Sequence, residues 1–161
     1  MRLATPADIP LIRALALEVW PVTFADILTP AQIDYMLDMM YSETSLREQM
    51  DVKGHQFLIA EHDGEPAGYC GYQIDYTPRV TKVHKIYVLP RTQGSGLGRA
   101  LLDKVAEIAV AARQIKLRLD VNYQNPAIGF YERMGFNKVD EITTEIGEGY
   151  LMEDYVFEIG L

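Results

Sequence analysis

Ile86-Tyr87-Val88-Leu89-Pro90-Arg91-Thr92-Gln93-Gly94-Ser95-Gly96-Leu97-Gly98-Arg99-Ala100-Leu101-Leu102 runs from an apolar segment, through three alternating glycines, into a helical pattern. Glycine has no Cβ, so backbone N–H groups in such a turn can close around an oxyanion. The helix that follows aims its unsatisfied first-turn donors at the same point. A strand, a glycine turn and a helix in that order form a cradle for a diphosphate.

Spacing narrows the kind of cradle. A P-loop would place Gly-Lys-Ser/Thr at the helix entrance, where Gly98-Arg99-Ala100 has neither the lysine nor the hydroxyl. The dinucleotide fingerprint needs a small residue where Arg99 stands, although Asp120 lies near its acidic position. Gln93-Gly94-Ser95-Gly96-Leu97-Gly98 does match Gln/Arg-x-x-Gly-x-Gly/Ala. About two dozen residues further on, a separation suited to a strand-helix-strand unit, Asn125-Pro126-Ala127-Ile128-Gly129-Phe130-Tyr131-Glu132-Arg133-Met134-Gly135-Phe136 follows. This is an asparagine leading into Ala-x-x-Phe-Tyr-x-x-x-Gly-Phe. The two blocks, in this order, resemble the signatures of the GNAT N-acetyltransferase superfamily.

The resemblance implies an α/β acyl-CoA N-acyltransferase fold whose mixed, mostly antiparallel central sheet splays at its middle strands and is flanked by helices. It also implies acetyl-CoA as cosubstrate and no metal. Gln93, Gly94, Ser95, Gly96, Leu97, Gly98 and Arg99 would hold the CoA pyrophosphate, mainly through backbone amides. Ile86, Tyr87 and Val88 would offer backbone groups to the pantetheine arm as an added strand does. Asn125 would steady the same arm, although its place before Pro126 is also that of a helix cap; Asn122 is a weaker candidate of the same kind. Tyr131 would meet the leaving sulfur, yet it shares a helical face with Ala127, Phe130 and Met134, as a core aromatic would.

Magnitudes limit what Tyr131 can do. With ordinary pKa values of about 10 for tyrosine and about 8.5 for a thiol, full proton transfer is uphill by roughly 2 kcal/mol. A hydrogen bond to developing thiolate charge fits better. An acceptor ammonium, with a lysine-like pKa of about 10.4, must lose a proton before it attacks. The glutamate used by other members falls near Lys82, so His84, directly or through water, becomes the candidate base; Asp75 and Glu61 are poorer alternatives. An oxyanion would meet a backbone N–H near Val88.

Trp20, Thr23, Phe24, Tyr35 and Tyr72 are candidate walls of an acceptor pocket. The segment Gly149–Tyr155 and the region from Trp20 to Phe24 loosely resemble polyamine (spermidine/spermine) acetyltransferases, which implies a small primary amine or a peptide amine as acceptor. A non-catalytic acyl-CoA-binding module on the same fold is the competing reading, and oligomeric state stays open, a homodimer included.

Composition agrees with one domain over residues 1–161. Of the 161 residues, 48% are apolar and 24% charged, which is globular rather than disordered. The net charge of −8 argues against nucleic acid and leans toward a cationic partner, while plain solubility explains it too. The single Cys70 rules out a disulfide framework and suits a reducing compartment. With no apolar leader and no membrane-length apolar run, a cytoplasmic location without membrane contact is expected.

Around the two blocks, Thr5-Pro6 with Asp8 opens a helix buried through Ile9, Ile12, Ala16 and Val19, which Pro21 should stop. Thr29-Pro30-Ala31-Gln32 reads as a capping box for a second helix, and a third turn spans Thr44–Met50. Short apolar runs predict strands over 56–61, 67–74, 80–89, 116–121, 136–146 and 150–159, with Asp63-Gly64 as a hairpin turn. The helix after the glycines should bury Leu97, Leu101, Val105, Ile108 and Ala112, and a short one should span 126–134.

Overall fold

The computed structural model describes residues 1–161. Seven strands form one sheet in the order β1-β2-β3-β4-β5-β7-β6: β1 (Arg2–Leu3), β2 (Gln56–His62), β3 (Glu65–Thr77), β4 (Val80–Val88), β5 (Lys116–Asn122), β6 (Asn137–Gly147) and β7 (Tyr150–Gly160). Every neighbouring pair is antiparallel except β4 and β5. That parallel pair requires a crossover, which α4 (Leu97–Ala111) supplies.

Side-chain alternation divides the core into two layers. Phe57, Tyr69 and Leu89 face a cluster built from α1 (Ile9–Thr23), α2 (Pro30–Tyr41) and Leu46 of α3 (Glu43–Asp51). Leu58, Cys70, Val83, Leu117 and Phe157 point the other way, onto Leu101, Leu102, Val105 and Ala109 of α4 and Tyr131 of α5 (Ile128–Arg133). Adjacent residues such as Phe57 and Leu58 thus serve opposite layers, as the period of two demands. Each fully buried leucine among them contributes about 1.5–3 kcal/mol.

Local expectations are met in most places and corrected in a few. A short strand precedes the first helix, pairing Arg2 with Ile59 and Leu3 with Leu58. Pro21 does not end α1: it lies in the last turn, and Phe24 N–H still reaches Trp20 O at 3.0 Å. Thr29 Oγ1 accepts from Gln32 N–H at 3.2 Å, but the Gln32 side chain donates to Leu151 O at 2.9 Å instead of closing the capping box. In α4 the buried positions are Leu101, Leu102, Val105 and Ala109; Leu97 and Ile108 are half-buried and Ala112 is exposed where the helix ends. α5 begins at Ile128, two residues beyond Pro126.

Candidate active site

The parallel β4–β5 ladder ends at Val83 opposite Leu119. β4 continues through His84–Val88 and β5 through Asp120–Asn122 without pairing to each other, while each keeps its pairing with its outer partner, β3 or β7. The expected splay is therefore real, and a cleft of about 950 Å³ occupies it. Leu89 N–H donates to Ala67 O on β3 at 2.7 Å. By alternation, Ile86 and Val88 turn their N–H and C=O groups toward the gap.

Tyr87 is a correction. Its backbone faces β3, and its ring packs with Trp20, Phe24 and Tyr69 at centroid distances of 5.7, 6.3 and 5.8 Å. Ile86 and Val88 carry the free backbone groups; Tyr87 supplies a wall.

At the top of the cleft Gly94 and Gly96 take φ of 83° and 85°, a region open to glycine and costly for side chains. Gly96 caps α4, and Ala100 N–H is the first to bond back, to Gly96 O at 3.0 Å. The amides of Leu97, Gly98 and Arg99 are thus the open first-turn donors, beside those of the glycines. Gln93, Gly94, Gly96, Leu97, Gly98 and Arg99 all line the cleft. Ser95 does not: its amide and hydroxyl both donate to Thr92 O, so it shapes the turn from behind. The residues present fit a diphosphate, with Arg99 exposed beside Asp103 as a flanking charge.

Asn125 is not the N-cap of α5, which is Ala127. Its Oδ1 accepts from Ala127 N–H at 2.8 Å and closes a turn one step earlier, and Asn125 lines the cleft. Asn122 likewise caps locally, accepting from Gln124 N–H at 2.9 Å. Tyr131 lines the same wall and is 7% exposed. The hydroxyls of Tyr35, Tyr41 and Tyr69 are engaged within the protein, whereas that of Tyr131 enters none of its hydrogen bonds. Burial pushes its pKa well up, with buried Cys70 adding to the shift, so the hydroxyl stays protonated.

A bulge arranges the opposite wall. Gly71 pairs with Lys85 and Tyr72 with Val83, leaving His84 as the extra residue on β4. Val83 consequently faces α4 while Lys85 reaches the aromatic rings of Tyr41 and Phe57 on the other layer. His84 Nε2 lies 3.0 Å from Gln73 Oε1, and its ring stacks on His55 at 4.0 Å. Burial, His55 and the neighbouring lysines drive the His84 pKa down to about 2. The expected base is in the cleft lining, but it is neutral and a poor holder of a proton.

Sequence reading missed two charged groups in the same lining. Asp154 on β7 is 8% exposed and has no ion pair or hydrogen bond to its carboxylate; burial, with Asp120 nearby, raises its pKa to about 6. It lies close enough to Tyr87 that its negative charge adds to the rise that burial gives that phenol. Lys85 is also 8% exposed, and burial with Lys53 and Lys82 lowers its pKa to about 7. Lys82, by contrast, is paired with Asp120 at 2.9 Å.

Trp20, Thr23 and Phe24 line the acceptor end, with Gln32, Met36 and Met40 of α2. Tyr35 and Tyr72 do not. Tyr35 donates to Ile146 O at 2.5 Å, holding the β6–β7 hairpin to α2 beside Gly147, whose φ is 99° and where a Cβ would collide with the Tyr35 hydroxyl. Tyr72 is buried on the α4 side. Asp75 is engaged by Gln114 and Arg79, and neither it nor Glu61 borders the cleft. No group of three His, Cys, Asp or Glu side chains is placed to hold a metal, and no helix is long and apolar enough to cross a membrane.

A splayed parallel pair with a glycine-capped helix at its mouth defines an acyl-CoA-dependent transferase cleft. Residues 15–136 match the acetyltransferase (GNAT) family, and the chain belongs to that family. It is 29% identical over 146 residues to an uncharacterized N-acetyltransferase of Mycobacterium bovis, covering 90% of this chain and 92% of the relative. The mycothiol acetyltransferase of Streptomyces griseus is 37% identical over 90 residues, 53% of this chain and 28% of that protein. Among solved structures, the PaiA N-acetyltransferase of Thermoplasma acidophilum in complex with coenzyme A superposes with a TM-score of 0.80 at 23% identity, over all of both chains. A GNAT protein of Rhodopseudomonas palustris gives 0.83 at 21% identity, over 99% of this chain and 94% of that one. The protein is an acetyl-CoA-dependent acetyltransferase acting on an amine.

Proposed function

We propose that the chain transfers acetyl to a primary amine of a small molecule or peptide by direct attack in a ternary complex. The observation that carries this reading is the pairing, across one cleft, of a protonated Tyr131 with an unpaired Asp154 carboxylate. The glycine turn holds the pyrophosphate, and Ile86 and Val88 hydrogen-bond the pantetheine. Asp154 receives the acceptor ammonium and takes its proton, a role suited to a group titrating near 6. The amine lone pair then attacks the thioester carbon, and the carbonyl electrons move onto oxygen, which meets the Val88 N–H. The intermediate collapses with cleavage of the C–S bond; the leaving sulfur's new electron pair is met by a hydrogen bond from the Tyr131 hydroxyl, which keeps its proton, and the thiolate takes up the surplus proton of the attacking nitrogen. Cys70 is buried, and its thiol is held protonated by that burial, so no acyl-cysteine step is invoked.

His84 serves in this scheme as a positioning residue, held by Gln73 and His55. A polyamine acceptor was expected from the net charge of −8 and the segment Gly149–Tyr155. Lys82 and Lys85 on the acceptor wall weigh against a second cationic group in the substrate. Release of CoA with acetyl-CoA and a panel of amines tests the reading, and an acyl-CoA-binding module without catalysis would release none with any amine. The single Cys70 supports a cytoplasmic location, tested by fractionation, and light scattering tests a homodimer.

A further inference from the structure

Lys85 is buried without a carboxylate partner. Its Nζ donates to Gln49 Oε1 at 2.7 Å and lies 5.7 and 5.8 Å from the rings of Tyr41 and Phe57. Gln49 is itself fixed, because its amide nitrogen donates to Met40 O at 2.8 Å and to Ser45 Oγ at 2.9 Å. Its oxygen therefore has one orientation, toward Lys85. An ammonium has three donors, and the protein engages one. Burying an uncompensated charge is costly, and in the free protein burial already lowers the Lys85 pKa to about 7; an anion brought by a ligand would restore its full charge and take the two remaining donors.

The same wall holds the converse feature, the unpaired carboxylate of Asp154. Their strands are separated by β5 in the sheet order. At about 4.8 Å per strand spacing, two spacings put their backbones roughly 10 Å apart before the splay is added. Lys85, moreover, extends toward α3, away from β7. A ligand satisfying both must carry its two charges on a spacer and not on one carbon.

Resting on the acetyltransferase reading above, we propose that the acceptor is an amine bearing a spaced anionic group, carboxylate or phosphate, with Asp154 receiving its ammonium and Lys85 its anion. Lys85 then sets specificity, and Gln49 positions it.

The test is kcat/KM at saturating acetyl-CoA for chain-length series of alkylamines, α,ω-diamines, ω-amino carboxylates and aminoalkyl phosphates. Wild type, Lys85→Met and Lys85→Arg are compared, with the thermal shift by acetyl-CoA confirming that each variant is folded. A charge-assisted hydrogen bond is worth about 1.5–3 kcal/mol, roughly 10- to 100-fold. Wild type should favour an anionic series by that factor over the alkylamine of equal length. Lys85→Met should collapse the ratio toward one, and Lys85→Arg should keep part of it. The carboxylate and phosphate arms separate the two sources of charge. A wild-type ratio at or below one, or a ratio that survives in Lys85→Met, overturns the inference and leaves the transferase reading standing. Acetylation of no amine in any series would overturn both.

Discussion

Val83 and Leu119 form the last rung of the parallel β4–β5 ladder, and the cleft opens from that rung. Above that pair the strands keep their outer hydrogen bonds and give up the shared ones. The backbone groups so released, at Ile86 and Val88, face a ligand-sized gap instead of a neighbouring strand. In the proposed mechanism both donor binding and oxyanion contact draw on this one local failure of pairing.

Tyr131→Phe removes a hydroxyl with no protein partner, so the melting temperature should hardly change. The kcat should fall by about 100-fold or more while KM for acetyl-CoA moves by less than about threefold, the pattern of an interaction made in the transition state. Steady-state kinetics over a range of acetyl-CoA concentrations will show it; an unchanged kcat removes Tyr131 from the mechanism.

Gly96→Val puts a β-branched residue at φ 85°. Gly98→Val presses its γ carbons on the Phe130 ring, which lies 3.4 Å from where a Cβ would be. Both variants should fold, and both should lose the rise in melting temperature that acetyl-CoA gives the wild type. A retained shift would move the pyrophosphate elsewhere.

Asp154 must be ionised to hold an ammonium. In the free enzyme kcat/KM should decline as pH falls through about 6, approaching tenfold per unit below it. Asp154→Asn should remove that limb together with most of the activity. Stability runs the opposite way. Its folded pKa, raised from 3.8 to about 6, makes the proton's stabilising contribution complete below the lower value and lost as pH rises through the higher one. Asp154→Asn should therefore melt higher than wild type at pH 8, measured by calorimetry.

His84→Asn should leave the acid limb of that profile in place, because His84 is already neutral across it. Disappearance of the limb in this variant would restore His84 as the base.

Tyr41 accepts hydrogen bonds from Trp20 Nε1 at 3.3 Å and from the Tyr69 hydroxyl at 2.7 Å, beneath the acceptor end. Tyr41→Phe leaves two buried donors unpaired at about 1–3 kcal/mol each, so a loss of roughly 2–6 kcal/mol is expected in urea unfolding.

The donor half of this site was legible because its chemistry is written locally. Glycines at 94, 96 and 98 and the Asn125–Phe136 block are contiguous, and a turn that cradles an anion needs little beyond its own backbone. The acceptor half depends on pairings remote in sequence. Asp154 comes beside Asn122 only because β7 inserts between β5 and β6. Lys85 faces Tyr41 only because His84 bulges and breaks the alternation that would have put Lys85 and Val83 on one side. Pro21 misled for a related reason: a proline in a last turn removes a single donor, and the remaining bonds carry α1 to Thr23. Ser95 matched its motif by position while its polar groups turned inward.

The two apolar layers place the parts of the reaction in separate structural economies. In the proposed scheme the residues that hold the donor rest on α4 and α5, whereas those that face the acceptor rest on α1, α2 and α3, and β4 feeds alternate side chains to each layer. Exchange of Lys85, Gln49 or the residues of α2 would thus alter the wall on the helical α1–α3 side while leaving the packing beneath the glycine turn untouched.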